Sequence, residues 1–550
     1  MHTVHEARTT SVPSSRLSGI EEALRSPRHC ERWIAASVPA TDDPAARLAA
    51  LQPLLSALAE RVAEDPARLA VLETVRLGVL QACERVFAAA AKAGLPFGPG
   101  LAQALRQAND MLNEMADAFA EGFEALEAER SIRRVIPRAA EGLGHILPLA
   151  RALDAQSRRL AGLSLARVHL DDGDFLRLAE LGQAARDSTF LDVNLRDPLA
   201  FLRPCNARAL FVYPLLLRLA APFECSADER RGIDFLARRL AHRVGFRVDE
   251  DAHKRVNPYG PTLRVGLGSR VRLDTHRLLA SLAGDAAEWR TECARSPDTP
   301  ALDERVWTRV FDRLRHCWSA RWRRTRAVDA GRRPLRLHVG WPAGEALDAS
   351  RGRPYDWGRY DGHRVVGQAV PSEQAQDGFI AAAVPAHWVA MDHERIWLDC
   401  GPARAEFLAG GLVQFAQQRS GRAHTDTQRG DPGGAIARHE PRIGGVHLGR
   451  LLSGQHLLTE AGLRVVIAPL TGLAQAVGLG LDGHASRGEA FWLEATEGGQ
   501  GSLVARKGRL GTGERVIVAL GDADLTVRIG DRLATGADFE QWQVERLGAA

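Results

Sequence analysis

The sequence predicts a multidomain α + β protein: a helical N-terminal half, followed by a small β-barrel and further β-sheet at the C-terminus. Three observations carry this expectation. Up to about residue 326, apolar residues recur at helical spacing behind acidic or hydroxyl caps, several of them followed by proline. From Gly331 onward the texture changes to short alternating apolar runs, punctuated by glycine and proline every 8–15 positions. Between the two textures, residues 305–336 hold eleven arginines against two aspartates.

The first sixteen residues, MHTVHEARTTSVPSSR, have no apolar core. They are not a signal peptide and are expected to be disordered. Residues 17–165 read as a helical bundle. In TDDPAARLAALQPLLSALAERVAE, Asp42 or Asp43 caps, Pro44 fits the first turn, and Leu48, Leu51, Leu55, Leu58 and Val62 share a face. The next segment repeats the logic with Asp65, Pro66 and an apolar face from Leu69 to Gly94. A third helix carries Met111, Met115, Phe119 and Phe123 at i, i+4 steps, which is core spacing.

Residues 166–330 form a second, mainly helical region. Its most apolar run, ALFVYPLLLRLAAPF (209–223), is too short for a bilayer and carries Pro214 and Arg218, so it reads as a buried helix. Ser226 and Glu229 make a capping box. Residues 247–282 look mixed, with an extended piece and then a helix started by Asp274 or Thr275. The region ends in an Arg-rich junction helix, 303–326, with Val310, Leu314, Cys317 or Trp318, and Trp322 on one face. Its basic side reads as solvated.

The β half divides into a barrel over 331–475 and a β-rich segment over 476–550. Its strand-like runs are LRLHVGW, HRVVGQAV, GFIAAAV, RIWLDC, LRVVIAPL, AFWLEA, SLVARKG, ERVIVAL and LTVRIG. The polar, glycine-rich stretch 417–435 reads as a loop, and DASRG (348–352) and HASRG (484–488) read as turns. No fixed-period repeat stands out.

Composition limits the function classes. Apolar content of 45% and charged content of 25% are ordinary for a globular protein, and a net charge of +4 is too small for a global nucleic-acid footprint. Lysine occurs only at Lys92, Lys254 and Lys507, so 69 of the 72 basic residues are arginine. In such a chain a bare R-x-x-x-R match says little, and position must supply the information. Seven cysteines without C-x-x-C spacing favour reduced core thiols in a cytoplasmic protein over a zinc site or a disulfide framework. The chain lacks a P-loop, a nucleophile elbow, an H-E-x-x-H and an EF-hand loop, so no catalytic residues, cofactor or metal are expected. His424, Asp426, His439, Glu440 and His447 are the nearest thing to a metal set, and a metal-dependent hydrolase is a minor alternative.

The stretch GRRPLRLHVG places Arg332, Arg333 and Arg336 at the mouth of a predicted strand. A guanidinium fork binds phosphate oxygens bidentately and pairs equally well with guanine O6 and N7. A cyclic dinucleotide of guanine offers both kinds of acceptor.

These residues carry a resemblance. The order RALFVYPLLLRLAAPF, LDTHRLLASL, an arginine junction and a β-rich C-terminus, with the tail TVRIGDRLATGADFEQWQVERL, resembles long bacterial PilZ-domain proteins with a helical N-terminal half. The PilZ family binds cyclic di-GMP through R-x-x-x-R at the barrel entry and [D/N]-x-S-x-x-G on a following strand. The first motif matches as Arg332 to Arg336. The second departs from the pattern: in AVPSEQAQDGF, Ser372 takes the serine place, Val370 stands at the acidic position, and glycine arrives only at Gly378. A rival placement, Asp348 to Gly352, is one residue short.

The resemblance implies a PilZ-like barrel over 331–475 and a non-catalytic cytosolic second-messenger receptor. Cyclic di-GMP would bind at the junction through Arg332, Arg333, Arg336, Ser372 and Gly378 and change the interdomain geometry, and the helical half would meet a protein partner. The alternative is a degenerate PilZ-type scaffold for protein–protein contacts that binds no nucleotide. Membrane insertion and nucleic-acid binding are not expected.

Overall fold

The computed structural model describes residues 14–39, 41, 43–61, 66–95, 97–133, 139–188, 191–195, 197, 199–249, 260–265, 269–283, 299–319, 328–339, 382–391, 395–400, 411–417, 446–458, 462–470, 474–481, 484–493, 501–520 and 523–549. The chain divides into two compact units, Met1–Arg324 and Thr325–Ala550.

The first unit is built from α1 (Ser14–Ala23), α2 (Pro27–Ser37), α3 (Pro44–Ala59), α4 (Pro66–Lys92), α5 (Pro99–Arg133), α6 (Ala139–Leu165), α7 (Leu176–Asp187), α8 (Ala207–Ala220), α9 (Ala227–Leu240), α10 (His276–Ala283) and α11 (Glu304–Cys317). Helices α2 to α5 all open on proline, whose fixed φ and missing N–H suit the first turn. Asp43 caps α3 by accepting from the Ala45 N–H, so of the two expected caps Asp43 is used. The predicted α3 face is the buried one, with Leu48, Leu51, Leu55 and Leu58 all inaccessible, while Val62 and Asp65 lie outside the described residues. Met111, Met115 and Phe119 of α5 are core residues, as their spacing implies.

Helix α8 is the centre of this unit. Twelve of its 14 residues are buried, which marks it as a core helix covered on all sides. The capping box at α9 is complete, with the Glu229 N–H donating to Ser226 Oγ and the Ser226 N–H to the Glu229 carboxylate. Between α9 and α10 a three-stranded antiparallel sheet is inserted, β1 (Gly245–Asp249), β2 (Thr262–Val265) and β3 (Ser269–Asp274), in the order β1-β3-β2. The sequence showed only an extended piece there. Phe246 of β1 stacks on Phe211 of α8 with ring centroids 4.1 Å apart, which ties the sheet to the core.

Helix α11 corrects one expectation. Its apolar face is as read: Val310, Leu314 and Trp318 are fully buried, and Trp322 lies outside the described residues. Its arginines are not simply a solvated face. Arg313 donates to the Ala220 and Ala221 carbonyls and to Glu224, and Arg315 donates to the Leu282 carbonyl. Arg309 pairs with Glu229. These arginines fasten α11 to the ends of α8, α9 and α10. At its C-terminus Trp318 donates from Nε1 to the Leu216 carbonyl, and its own carbonyl accepts from the buried Thr275 hydroxyl.

The described residues of the second unit form two closed antiparallel barrels of six strands each. The first contains β4 (Val328–Val339), β5 (Ala382–Met391), β6 (Ile396–Cys400), β7 (Leu412–Gln417), β8 (Val446–Leu457) and β9 (Gly462–Pro469), in the order β4-β5-β6-β9-β8-β7. The second contains β10 (Ala474–Leu481), β11 (His484–Leu493), β12 (Ser502–Arg506), β13 (Arg515–Leu520), β14 (Ala523–Thr535) and β15 (Phe539–Ala549), in the order β10-β11-β12-β15-β14-β13. Position for position the two orders are the same, so the β half is a topological repeat.

The second barrel fills its lumen with Trp492, Trp542, Leu503, Val516, Val527 and neighbouring aliphatics. In the first, Asp399 and Arg464 face each other across β6 and β9 and form a bidentate ion pair at 2.6 and 2.8 Å. The two barrels are pinned together where the Leu412 N–H, at the start of β7, donates to Asp538 Oδ1 in the β14–β15 turn, 2.9 Å away. HASRG, expected as a turn, is the first half of β11. DASRG and the run HRVVGQAV lie outside the described residues.

Candidate functional site

The arginines of the opening motif lie on β4, the strand that begins the first barrel. The ladder explains why a strand can carry a proline and three arginines. Strand β4 pairs with β5 over Val328–Val339, with an irregular register between Asp329 and Arg333. Its other edge pairs with β7 only from Leu335 to Val339. Val328–Pro334 therefore overhangs β7, and on that side its main-chain groups have no ladder partner among the described residues. Proline is tolerated on a strand where a ladder bond is not required, and Pro334 stands at the last position of this overhang.

Arg332 lies in the irregular stretch, Arg333 pairs with Trp388, and Arg336 pairs with Pro385 on one side and Ala416 on the other. The three arginines thus straddle the point where one-sided pairing becomes two-sided, at the entry of the barrel. Ser372, Gly378 and the rival Asp348–Gly352 lie outside the described residues, as do His424, Asp426, His439 and Glu440. His447 is on β8, opposite Phe415. Among the described residues no group of three or more His, Cys, Asp or Glu is arranged to hold a metal ion. No helix among them is long and apolar enough to cross a membrane.

Sequence reasoning missed a second constellation, inside the helical unit. Arg76 of α4, Arg151 and Arg158 of α6, and four carboxylates form a network around the α7–α8 connection. Asp197 receives Arg76 Nη1 at 3.0 Å and Nη2 at 3.2 Å, the Leu199 N–H at 2.9 Å, and a close bond from Arg151. Arg151 and Arg76 both also bind Glu73. Arg158 donates to Asp154 at 3.0 Å and pairs with Glu84, and its guanidinium lies over the Phe201 ring. A long α7–α8 connection without regular structure is thereby held onto α4 and α6.

The two aspartates respond oppositely. Burial pushes Asp197 up, but the Arg76 hydrogen bond, the Leu199 N–H and the Arg151 and Arg76 charges outweigh it and hold its carboxyl below the usual range. Asp154 is raised, because its burial exceeds what Arg158 and Arg76 return. The signal was absent from the sequence because Asp197 sits in a loop 46 residues from Arg151 and 121 from Arg76.

The cysteines behave as read. All six described thiols are buried and outside any disulfide, and burial raises Cys30, Cys205, Cys225 and Cys400 to about 12 and Cys83 higher still. A thiol raised in this way stays protonated at neutral pH.

Comparison with known proteins gives a family match for the helical unit. Residues 28–251, the helical unit from α2 through β1, match the family model described as the cyclic-di-GMP receptor FimW, N-terminal domain. The searches of curated proteins and of solved structures returned no match. The match falls on the half of the chain that holds the buried ion network, and it agrees with the family the sequence resembled at the level of cyclic di-GMP receptors with a helical N-terminal half. Over residues 28–251 the chain is therefore similar to the N-terminal domain of the cyclic-di-GMP receptor FimW.

Proposed function

We propose that this chain is a non-catalytic, cytoplasmic receptor for cyclic di-GMP whose first barrel is a PilZ-like domain. The observation that carries the reading is the FimW match over the helical half. The position of the arginines supports it. A dinucleotide needs donors for two phosphates and for guanine edges, and Arg332, Arg333 and Arg336 supply planar forks at one end of a barrel. In this reading Ser372 and the Gly378 turn complete the base contact. Ligand held on β4 then changes the geometry between barrel and helical unit, and the helical unit presents a surface to a protein partner.

A second reading is favoured by one feature of the sequence. Val370 stands where a PilZ motif has Asp or Asn, and a buried guanine edge without its polar partner binds poorly. On that reading the barrels are a scaffold that binds no nucleotide.

Calorimetric titration with cyclic di-GMP separates the two. The receptor reading expects saturable heat that disappears in the Arg332→Ala/Arg336→Ala double variant, with a smaller radius of gyration in the liganded wild type. Absence of heat in the wild type rejects it in favour of the scaffold. Binding that survives in the double variant keeps the ligand and removes it from β4.

A further inference from the structure

We propose that the helical unit contains a second, separate anion site, formed by Arg167 and Arg230, that takes a phosphate group. Arg167 follows the C-terminus of α6, and Arg230 lies in the first turn of α9. Both reach the C-terminal end of α4. Arg167 donates to the Ala93 carbonyl, and Arg230 donates to the Ala91 carbonyl at 3.2 Å and to the Cys225 carbonyl at 2.8 Å. Among the described residues those three main-chain oxygens are the partners of the pair.

Among the described residues no carboxylate is paired with either arginine. The four acids between 224 and 234 are all engaged by other arginines: Glu224 by Arg313, Asp228 by Arg231, Glu229 by Arg309 and Asp234 by Arg238. Glu84 of α4 is paired with Arg158, and Asp172 with Arg218. Arg230 is 8% exposed, and the Nε of Arg167 is buried without any hydrogen-bond partner. Arg167 itself is partly exposed, which gives a small anion a way in.

Capping of α4 alone does not account for the arrangement. A helix C-terminus carries about half a negative charge. Two guanidiniums bring two positive ones, and Arg230 sits at the positive end of its own helix. The second charge is also felt at Arg167: burial, then the charge of Arg230, lowers it to about 10.

The backbone adds a separate observation. Arg167 has φ of 60°, the left-handed C′ position of a Schellman turn closed by the Arg167 N–H to Ser164 and the Val168 N–H to Leu163. Glycine is the favoured residue there, and an arginine is strained. A chain that places a strained arginine beside a second one bonded only to main-chain carbonyls has surplus positive charge that a tetrahedral oxyanion with several acceptors can answer.

The test uses the full chain, with thermal unfolding of the helical unit followed by circular dichroism in chloride and in inorganic phosphate at equal ionic strength. Phosphate at roughly five times its dissociation constant is expected to raise the transition by about 2–4 °C. Arg167→Gly is expected to raise the transition in chloride, because it removes both strain and like-charge repulsion, and to abolish the phosphate response. Arg230→Gln is expected to abolish the response as well. A wild type indifferent to phosphate, or an Arg167→Gly chain that melts lower in chloride and still responds, makes these arginines helix caps and overturns the proposal.

The β4 double variant Arg332→Ala/Arg336→Ala should leave the phosphate response unchanged, so this site stands or falls apart from the receptor reading. Titrating that variant with cyclic di-GMP identifies the source of the phosphate. Heat that vanishes on adding Arg167→Gly assigns a phosphodiester to the site, and a response to inorganic phosphate alone assigns the free ion.

Discussion

Replacing Asp197 should unfasten the α7–α8 connection, and the cost follows from its surroundings. The side chain is 3% exposed and accepts from two arginines and one main-chain N–H. Asp197→Ala leaves Arg76 and Arg151 buried with one negative partner fewer. Breaking a buried pair in this way costs about 3–5 kcal/mol. Asp197→Asn should cost less, since the amide oxygen still accepts from Leu199.

The sign with pH is fixed by the direction of the shift. A carboxyl held below its unfolded value contributes stability at pH above that value, roughly 3.9, and loses it as the pH falls through the lower folded value. Asp154, raised by burial, acts oppositely: its ionised form is disfavoured in the fold, so protonation relieves a cost. Urea unfolding at pH 7 and at steps down to pH 3, followed by circular dichroism at 222 nm, should therefore show Asp197→Asn losing more stability than Asp154→Asn at pH 7, with the gap narrowing only below pH 4 as Asp197 begins to protonate. An Asp154→Asn chain less stable than Asp197→Asn at pH 7, or an Asp197→Ala loss under 1 kcal/mol, would refute the reasoning.

Other outcomes are equally specific. A Cβ on Gly182 would lie 2.3 Å from the Phe211 ring, so Gly182→Ala should destabilise the helical unit by about 1–3 kcal/mol in the same urea assay. Trp318→Phe leaves the buried Leu216 carbonyl without its Nε1 donor and should cost about 1–3 kcal/mol, read by the same melt. Asp538→Ala removes the acceptor for the Leu412 N–H and should make the start of β7 more protease-sensitive while leaving the helical unit's melt unchanged. The six described thiols should react with Ellman's reagent only as the chain unfolds, so early reaction of more than one of the seven cysteines contradicts their burial.

Much of the helical unit is determined locally and was legible. Caps such as Asp43 and Ser226, prolines at first turns, and the Leu48–Leu58 and Met111–Phe119 stripes act within one helix, where spacing alone decides which side is buried. The strands in RIWLDC and ERVIVAL were legible as short apolar, β-branched or aromatic runs behind charged residues.

Strands β7, β8, β10 and β15 were not. In β8, Ser453, Gln455 and His456 are buried polar residues that break the alternation, and β10 is built largely of alanine and glycine. Their burial is fixed by partners on other strands. The candidate site divides in the same way. The sequence by itself placed Arg332, Arg333 and Arg336 at the start of a strand. Only the tertiary structure decided that this strand opens a closed barrel and overhangs β7, and that a second barrel repeats its strand order. The Asp197 network and the Arg167–Arg230 pair likewise join residues far apart in sequence. Charge balance in a protein interior is settled by which side chains meet, and in a chain this rich in arginine composition cannot say which ones find a carboxylate.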